Sequence, residues 1–111
     1  MKKIKFDDGV QQFQVGHGAL RFNPRDPALY DRFLEAVGQM ETITARGGTA
    51  AELDKALRIE LDKLLPGTDW NAVLPQNLLA LGANGKPLVL NFLEALEEIL
   101  VEGARAYARE N

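Results

Sequence analysis

The sequence predicts a single α+β domain in which an N-terminal antiparallel β-hairpin or three-strand meander is followed by a bundle of three main helices and a short helical insertion. Residues 1–23 alternate polar and apolar side chains around two glycine turns, which is the pattern of short strands. Residues 27–111 instead repeat apolar side chains every three or four positions, as amphipathic helices do. A chain of 111 residues is close to the commonest domain size, so we expect one domain over residues 1–111.

Three segments near the N-terminus carry the strand pattern. They are residues 2–6, 11–15 and 19–22, with turn signals at Asp7-Asp8-Gly9 and Gly16-His17-Gly18 between them. A sheet of this size is only marginally stable by itself, so its apolar side chains must pack against helices. The residues expected to do so are Ile4, Phe6, Phe13, Val15, Leu20 and Phe22.

The first long helix begins at a sharp junction with the last strand. Pro24 has no backbone N–H to give to a neighbouring strand, so strand pairing ends there. Asp26 is then predicted to cap the helix, and Pro27 occupies its first position, where proline loses no hydrogen bond. The apolar repeat predicts a helix to about Thr44, followed by a stop at Gly47-Gly48.

A capping box is predicted to open the second helix. Thr49 and Glu52 are three residues apart, so we expect each side chain to accept a hydrogen bond from a backbone N–H at the helix start. The helix is predicted to continue to Leu65, because Pro66-Gly67 ends the pattern.

The stretch between the second and the last helix is the least regular part of the sequence. A short helical turn is predicted around Trp70, and Pro75 is expected to begin a second short helical segment from Gln76 to Leu81. The run Asn84-Gly85-Lys86-Pro87 is a turn signal, with its proline placed to open the last helix. That helix is expected to end near Tyr107.

The last helix carries an apolar stripe that is broader than one neighbouring helix can cover. The stripe is expected either to pack in the core or to leave a groove for a partner helix or a second copy of the chain. Trp70, the sole tryptophan, is expected either to fill the core under its loop or to anchor a partner. The candidate partner-binding residues are Leu88, Val89, Phe92, Leu93, Leu96, Ile99, Leu100 and Trp70.

The composition excludes several kinds of chemistry. The chain contains no cysteine, which excludes disulfides and cysteine-based metal sites, and no serine, which excludes a serine nucleophile. A net charge of −3, with the basic residues scattered along the chain, disfavours a nucleic-acid-binding surface. No apolar run has the length of a signal peptide or a membrane span, so we expect a cytoplasmic protein with no membrane partner.

No group of residues in the sequence indicates catalysis or a cofactor. His17, the sole histidine, lies between two glycines in a predicted turn and has no indicated nucleophile or acid to work with. One face of the last helix carries four glutamates, Glu94, Glu97, Glu98 and Glu102. Such a run is typical of a solvated surface, while a surface that binds a partner or a site for a divalent cation would fit the same spacing. We therefore expect no catalytic residue, no metal site and no cofactor.

Three stretches of the sequence resemble the small tail assembly chaperones of long-tailed (siphovirus-type) phages and prophages of Gram-positive bacteria. The first, FQVGHGALRFNPRDPALYDRFLEAV, is similar to a family opening in which a hairpin ends in a Phe-Asn-Pro-x-Asp-like turn and leads into a helix with an Arg-Phe or Lys-Phe pair, here Arg32-Phe33. The second, LDKALRIELDKLLPGTDWNAVL, resembles the middle helix of the family, its glycine turn and a short helix bearing an aromatic residue. The third, NGKPLVLNFLEALEEIL, resembles the closing helix.

The resemblance implies a non-enzymatic protein that binds the helical tape measure protein during tail assembly. It also implies contact with the tail tube protein and self-association into a homo-oligomer. Two alternatives remain open. A small enzyme would need His17 in a pocket beside a carboxylate. A small phage-encoded regulatory or DNA-associated protein would need a contiguous basic stripe, built from Lys2, Lys3, Lys5, Arg21 and Arg25.

Overall fold

In the computed structural model, which describes residues 1–110, two antiparallel strands precede four helices. This order confirms the predicted α+β class, with a hairpin, three main helices and one short helix. The elements are β1 Gln11–Val15, β2 Gly18–Phe22, α1 Pro27–Arg46, α2 Ala50–Leu64, α3 Trp70–Val73 and α4 Leu88–Glu110.

Strands β1 and β2 pair over all five residues of each strand. Gly16 and His17 form the connecting turn, and Gly16 has a φ of 59°, a left-handed conformation that favours glycine. On the inner face Leu20 and Phe22 are buried, and the ring of Phe13 stacks on Phe22 with centroids 4.7 Å apart. The hairpin therefore presents one apolar face to the helices.

The predicted strand at residues 2–6 is wrong, so the sheet is a hairpin and not a three-strand meander. Ile4 and Phe6 expose 89% and 77% of their surface instead of packing on a helix. The side chains of Asp7 and Asp8 each accept a hydrogen bond from the backbone N–H two residues later, and the Asn23 amide donates to the Asp8 carbonyl oxygen. These bonds hold the chain beside the end of β2, so residues 2–6 do not fold back along β1.

The start of α1 follows the prediction. Asp26 accepts a hydrogen bond from the N–H of Ala28 at 3.0 Å, and Pro27 is the first helical residue. The preceding turn is closed by Asn23, whose side-chain oxygen accepts a hydrogen bond from the N–H of Arg25 at 2.9 Å. Two hydrogen bonds from backbone N–H groups to side-chain oxygens within residues 23–28 thus fix the junction between the strand and the helix.

α1 ends at Arg46, two residues beyond the predicted end at Thr44. The hydroxyls of Thr42 and Thr44 donate to carbonyl oxygens one turn earlier, at 3.1 and 2.9 Å. Both threonines are therefore accommodated inside the helix, and the helix stops only at Gly47, which has a φ of 76°.

Only half of the predicted capping box forms at the start of α2. The hydroxyl oxygen of Thr49 accepts a hydrogen bond from the N–H of Glu52 at 3.2 Å, as expected. The carboxylate of Glu52, however, accepts from the Thr49 hydroxyl at 2.9 Å rather than from a backbone N–H. The helix ends at Leu64, one residue before the predicted Leu65.

The predicted helical segment from Gln76 to Leu81 is wrong, because this stretch consists of turns. The N–H of Leu78 donates to the carboxylate of Asp54 on α2 at 2.7 Å. The guanidinium of Arg58, also on α2, donates to the carbonyl oxygen of Gln76 and to that of Leu74 just before the stretch, each at 2.8 Å. Since side chains of α2 bind these backbone groups, the groups are not available for a local helix.

α4 approaches the start of α1 closely at Gly103. A Cβ added at Gly103 would collide with the backbone carbonyl of Pro24, so the absence of a side chain permits this approach. An ion pair between Arg25 and Glu110 at 2.7 Å joins the same turn to the end of α4. The helix extends to Glu110, three residues beyond the predicted end at Tyr107.

The core lies where α1 packs on α2 and α4, and where α3 packs under β2. Within residues 1–110, none of the helices combines the length and the apolar character that a membrane span requires. The largest side chains with almost no exposed surface are Phe33, Leu57, Leu61, Leu64, Leu78 and Leu100.

Candidate partner-binding site

The structure places most of the predicted partner-binding residues in the core. Buried are Trp70, Val89, Leu93, Leu96 and Leu100. Half-buried are Leu88, Phe92 and Ile99. The apolar stripe of α4 is therefore largely covered within one chain, and a groove along the whole helix does not exist in this structure.

Trp70 fills the core beneath its loop. Only 7% of the Trp70 surface is exposed. The ring of Phe92 packs edge-on against the indole, with ring centroids 5.8 Å apart. No acceptor within residues 1–110 receives the hydrogen of its indole nitrogen. Trp70 thus offers no surface anchor, and Phe92 contributes mainly to holding it in place.

An apolar groove of about 440 Å³ lies between the second half of α1 and the first turns of α4. We call it the α1–α4 groove. It contains two of the predicted residues, Val89 and Leu93, which form part of its floor. It is lined by Val37, Met40, Glu41, Thr44, Ala45, Leu57, Leu79, Pro87, Val89, Leu90 and Leu93.

Leu90 is an exposed apolar residue of this groove that was not among the predicted partner-binding residues. It exposes 42% of its surface at the start of α4. Leu88, Val89 and Leu90 are consecutive, and three consecutive residues span roughly 200° around a helix with 3.6 residues per turn. The three side chains therefore cannot all lie within one narrow apolar stripe, and this run was the signal that one end of it would stay exposed.

The interior of the α1–α4 groove has little polar character. Among the described residues that line it, Glu41 alone carries an ionisable side chain, and it is exposed. The hydroxyl of Thr44 donates to the Met40 carbonyl oxygen, so it leaves no unsatisfied polar group in the groove. Such a surface suits the apolar face of an amphipathic helix, with a basic residue placed near the carboxylate.

Asp54 and Arg58 fix the loop that supplies one wall of the groove. Their side chains form an ion pair at 2.9 Å and are only 21% and 20% exposed. Burial raises the pKa of Asp54, but the hydrogen bond from Arg58, the bond from the Leu78 N–H and the positive charge of Arg58 together hold that pKa below its usual value. The charged carboxylate therefore stabilises the loop conformation.

The same loop is joined directly to the start of α4. The N–H of Leu88 donates to the Ala80 carbonyl oxygen at 2.8 Å, and the N–H of Val89 donates to the Leu78 carbonyl oxygen at 3.0 Å. These bonds occupy N–H groups of the first turn of α4 that have no partner within the helix. They hold the loop that carries Leu79 against the start of α4, which carries Leu90, and both residues line the groove.

The histidine and two of the four glutamates of the run have structural partners. The backbone N–H of His17 donates to the Ala72 carbonyl oxygen at 3.2 Å and seats the hairpin turn on α3. Glu94 pairs with Lys86 at 3.1 Å, and Glu102 pairs with Arg109 at 3.7 Å. In the part of the chain that the structure describes, no three His, Asp or Glu residues are grouped closely enough to hold a metal ion.

Comparisons of this chain with protein-family models, with curated proteins and with solved structures find no match. No functional residue is therefore transferred from a relative. The grounds for a functional proposal are the geometry of the α1–α4 groove and the resemblance carried by the three stretches of sequence.

Proposed function

We propose that this chain is a non-enzymatic tail assembly chaperone of a phage or prophage. In this proposal it acts in the cytoplasm of the bacterial host cell and holds a helical segment of the tape measure protein in the α1–α4 groove. The observation that carries the proposal is the apolar groove itself, open to solvent at Leu90. The resemblance of the three sequence stretches supports the same role.

The dimensions and chemistry of the groove fit this task. A volume of about 440 Å³ takes a few apolar side chains from one face of a helix, rather than a whole protein surface. Binding of that size is reversible, because only a small part of the buried area remains as net affinity after the cost of association. A chaperone needs this property, since it must release the tape measure protein as the tail tube grows. We place contact with the tail tube protein and self-association in the same proposal.

The regulatory or DNA-associated alternative has weaker support. Arg25, one residue of the basic stripe that it requires, is paired with Glu110 at 2.7 Å. The three lysines of that stripe lie in the exposed segment 2–6, directly before Asp7 and Asp8, whose charges oppose theirs. A net charge of −3 adds to this disadvantage.

The test is binding of the purified chain to fragments of the tape measure protein from the same phage or prophage. Size-exclusion chromatography with light scattering should show co-elution with at least one helical fragment. Leu90→Asp should weaken binding at least about tenfold, because it puts a charge where an apolar side chain must be buried. Ile59→Asp is the matched control: Ile59 is exposed on α2, away from the groove, and should leave binding unchanged.

Leu90 is a better probe than Phe92, because Phe92 packs against Trp70 and its replacement would disturb the fold. Circular dichroism should show both aspartate variants folded. Equal binding by Leu90→Asp and Ile59→Asp would remove the groove from the proposal. If no tape measure fragment binds the wild type, while DNA of the same phage does, the regulatory alternative replaces the chaperone.

A further inference from the structure

Residues 2–6 have the pattern of a strand but no partner within their own chain. Lys2, Ile4 and Phe6 alternate with Lys3 and Lys5, so an extended conformation gives the segment one partly apolar face. The apolar members of that face are almost fully in water, with 89% of Ile4 and 77% of Phe6 exposed. A segment of this kind gains free energy if it finds a sheet edge and an apolar surface.

β1 offers such an edge. Within residues 1–110 it pairs with β2 alone, so its other side has unpaired backbone groups. Its sequence, Gln-Gln-Phe-Gln-Val, has no charge and no proline, and so lacks the usual features that protect an edge strand from pairing.

The surface beside this edge matches the segment chemically. A groove of about 420 Å³ lies between β1 and α4, and we call it the β1–α4 groove. Its apolar lining includes Phe13 and Ile99, and its charged lining is mixed, with Glu98, Glu102 and Arg109 on α4 and Arg25 on the turn before α1. Arg109 pairs with Glu102 at 3.7 Å, and Arg25 pairs with Glu110 at 2.7 Å. Glu98 has no ion-pair partner within residues 1–110. A strand added at β1 would lay its inner side chains over this groove.

We propose that residues 2–6 of one chain bind as a third strand to β1 of a second copy of the same chain, and that the exchange is reciprocal. The two segments have equal length, five residues each. Ile4 and Phe6 cover Phe13 and Ile99, and Lys2 comes near the carboxylates of α4. The exchange gives a closed dimer, because each chain donates one segment and accepts one.

The second copy is the occupant, and not the same chain, because of how the segment is anchored. The Asn23 amide binds the Asp8 carbonyl oxygen, which holds the chain beside the end of β2. In this structure the segment of the same chain does not pair with β1, whose free edge stays open within residues 1–110. A segment from another copy can reach that edge while this hydrogen bond stays in place.

The first test is the oligomeric state of the full chain by sedimentation velocity over a range of concentrations. We expect a dimer whose Kd rises at least about a hundredfold in the double variant Ile4→Asp/Phe6→Asp, because two apolar side chains lose their burial. These residues make no core contact, so the variant should fold normally. The matched control is Leu34→Asp/Ile59→Asp, which changes two other exposed apolar residues and should leave the dimer intact.

A strictly monomeric wild type, or a dimer that the Ile4→Asp/Phe6→Asp variant does not weaken, would overturn the proposal. Leu90→Asp lies outside the β1–α4 groove and should leave the dimer unchanged, so this test is independent of binding to the tape measure protein.

The second test places the segment on its partner. The chain contains no cysteine, so Ile4→Cys and Glu98→Cys introduce single reactive thiols into two separate preparations. Mixing them with a short bis-maleimide reagent should give a covalent pair of chains. The double variant, treated at high dilution where chains are monomeric, should remain unlinked. A linkage within one monomer would show that the segment binds its own β1, and absence of any linkage in the mixture would equally contradict the exchange.

Discussion

Two glycines in long helices should respond to the same substitution with opposite changes in stability. Gly38 lies within α1, and a Cβ added there would have nothing within 4 Å. Gly103 lies within α4, where a Cβ would collide with the Pro24 carbonyl. Replacing each glycine with alanine therefore separates the local preference of a helix for alanine from the packing of α4 on the turn before α1.

The expected magnitudes follow from these surroundings. Gly38→Ala should raise the free energy of unfolding by about 0.5–1 kcal/mol, because alanine loses less backbone entropy than glycine in a helix. Gly103→Ala has the same favourable entropy term, but overpacking typically costs about 1–3 kcal/mol. At Gly103 the colliding group is the backbone carbonyl of Pro24, which cannot move aside by changing a rotamer. The net effect at Gly103 should be a loss of about 1–2 kcal/mol.

Urea denaturation measures both changes, with the fluorescence of the buried Trp70 and far-UV circular dichroism as two probes. In thermal unfolding, Gly103→Ala should lower Tm by roughly 4–8 °C, and Gly38→Ala should raise it by roughly 2–4 °C. If Gly103→Ala were as stable as Gly38→Ala, α4 would not lie against Pro24 as closely as the structure has it. The ion pair of Arg25 with Glu110 would then also lose its geometric basis.

Two further predictions concern the loop held by α2. Arg58→Met should cost about 2–4 kcal/mol, because it removes one of the two donors of the partly buried Asp54 carboxylate, which keeps only the Leu78 N–H, and leaves two carbonyl oxygens without their guanidinium donor. The exposed Arg105→Met should change the stability by less than about 0.5 kcal/mol. Urea denaturation of both variants is the measurement, and equal losses would contradict the role of Arg58. The pKa of Asp54 is lower in the folded chain than its unfolded value of about 3.9, so its contribution to stability is complete above about pH 5 and is lost as the pH falls through the unfolded and then the folded pKa. The difference in unfolding free energy between wild type and Asp54→Asn should therefore shrink from about pH 5 to about pH 3, and a constant difference would show that the charge of Asp54 has no such effect.

The sequence by itself determined the elements whose signals are local. Asp26 and Pro27 start α1 because capping and proline geometry involve only neighbouring residues, and Thr49 starts α2 for the same reason. The hairpin turn at Gly16 was equally predictable from the sequence, since the left-handed backbone conformation that it requires depends on two or three residues. These features were enough to predict the α+β class, which the structure confirms.

The tertiary structure decided whatever depends on a distant partner. Residues 2–6 have the alternation of a strand, but a strand exists only where another strand pairs with it, and within residues 1–110 β1 pairs with β2 alone, while Asn23 at the end of β2 binds the chain at Asp8. The stretch from Gln76 to Leu81 resembles a short helix, but Asp54 and Arg58 bind its backbone from α2. Each of these two predictions is wrong because a side chain that is distant in sequence forms hydrogen bonds with the backbone of the segment or of its flanking residues.

The candidate partner-binding site was also predicted in part from the sequence and decided in part by tertiary packing. The sequence indicated that α4 has more apolar width than a single neighbour covers, and Val89 and Leu93 do line the α1–α4 groove. It did not indicate that Leu96 and Leu100 are core residues while Leu90 stays exposed, because that depends on where α1 and the loop at Leu79 lie against the helix. Periodicity gives the face of a helix that is apolar, whereas the packing of its neighbours decides which part of that face remains open to a partner.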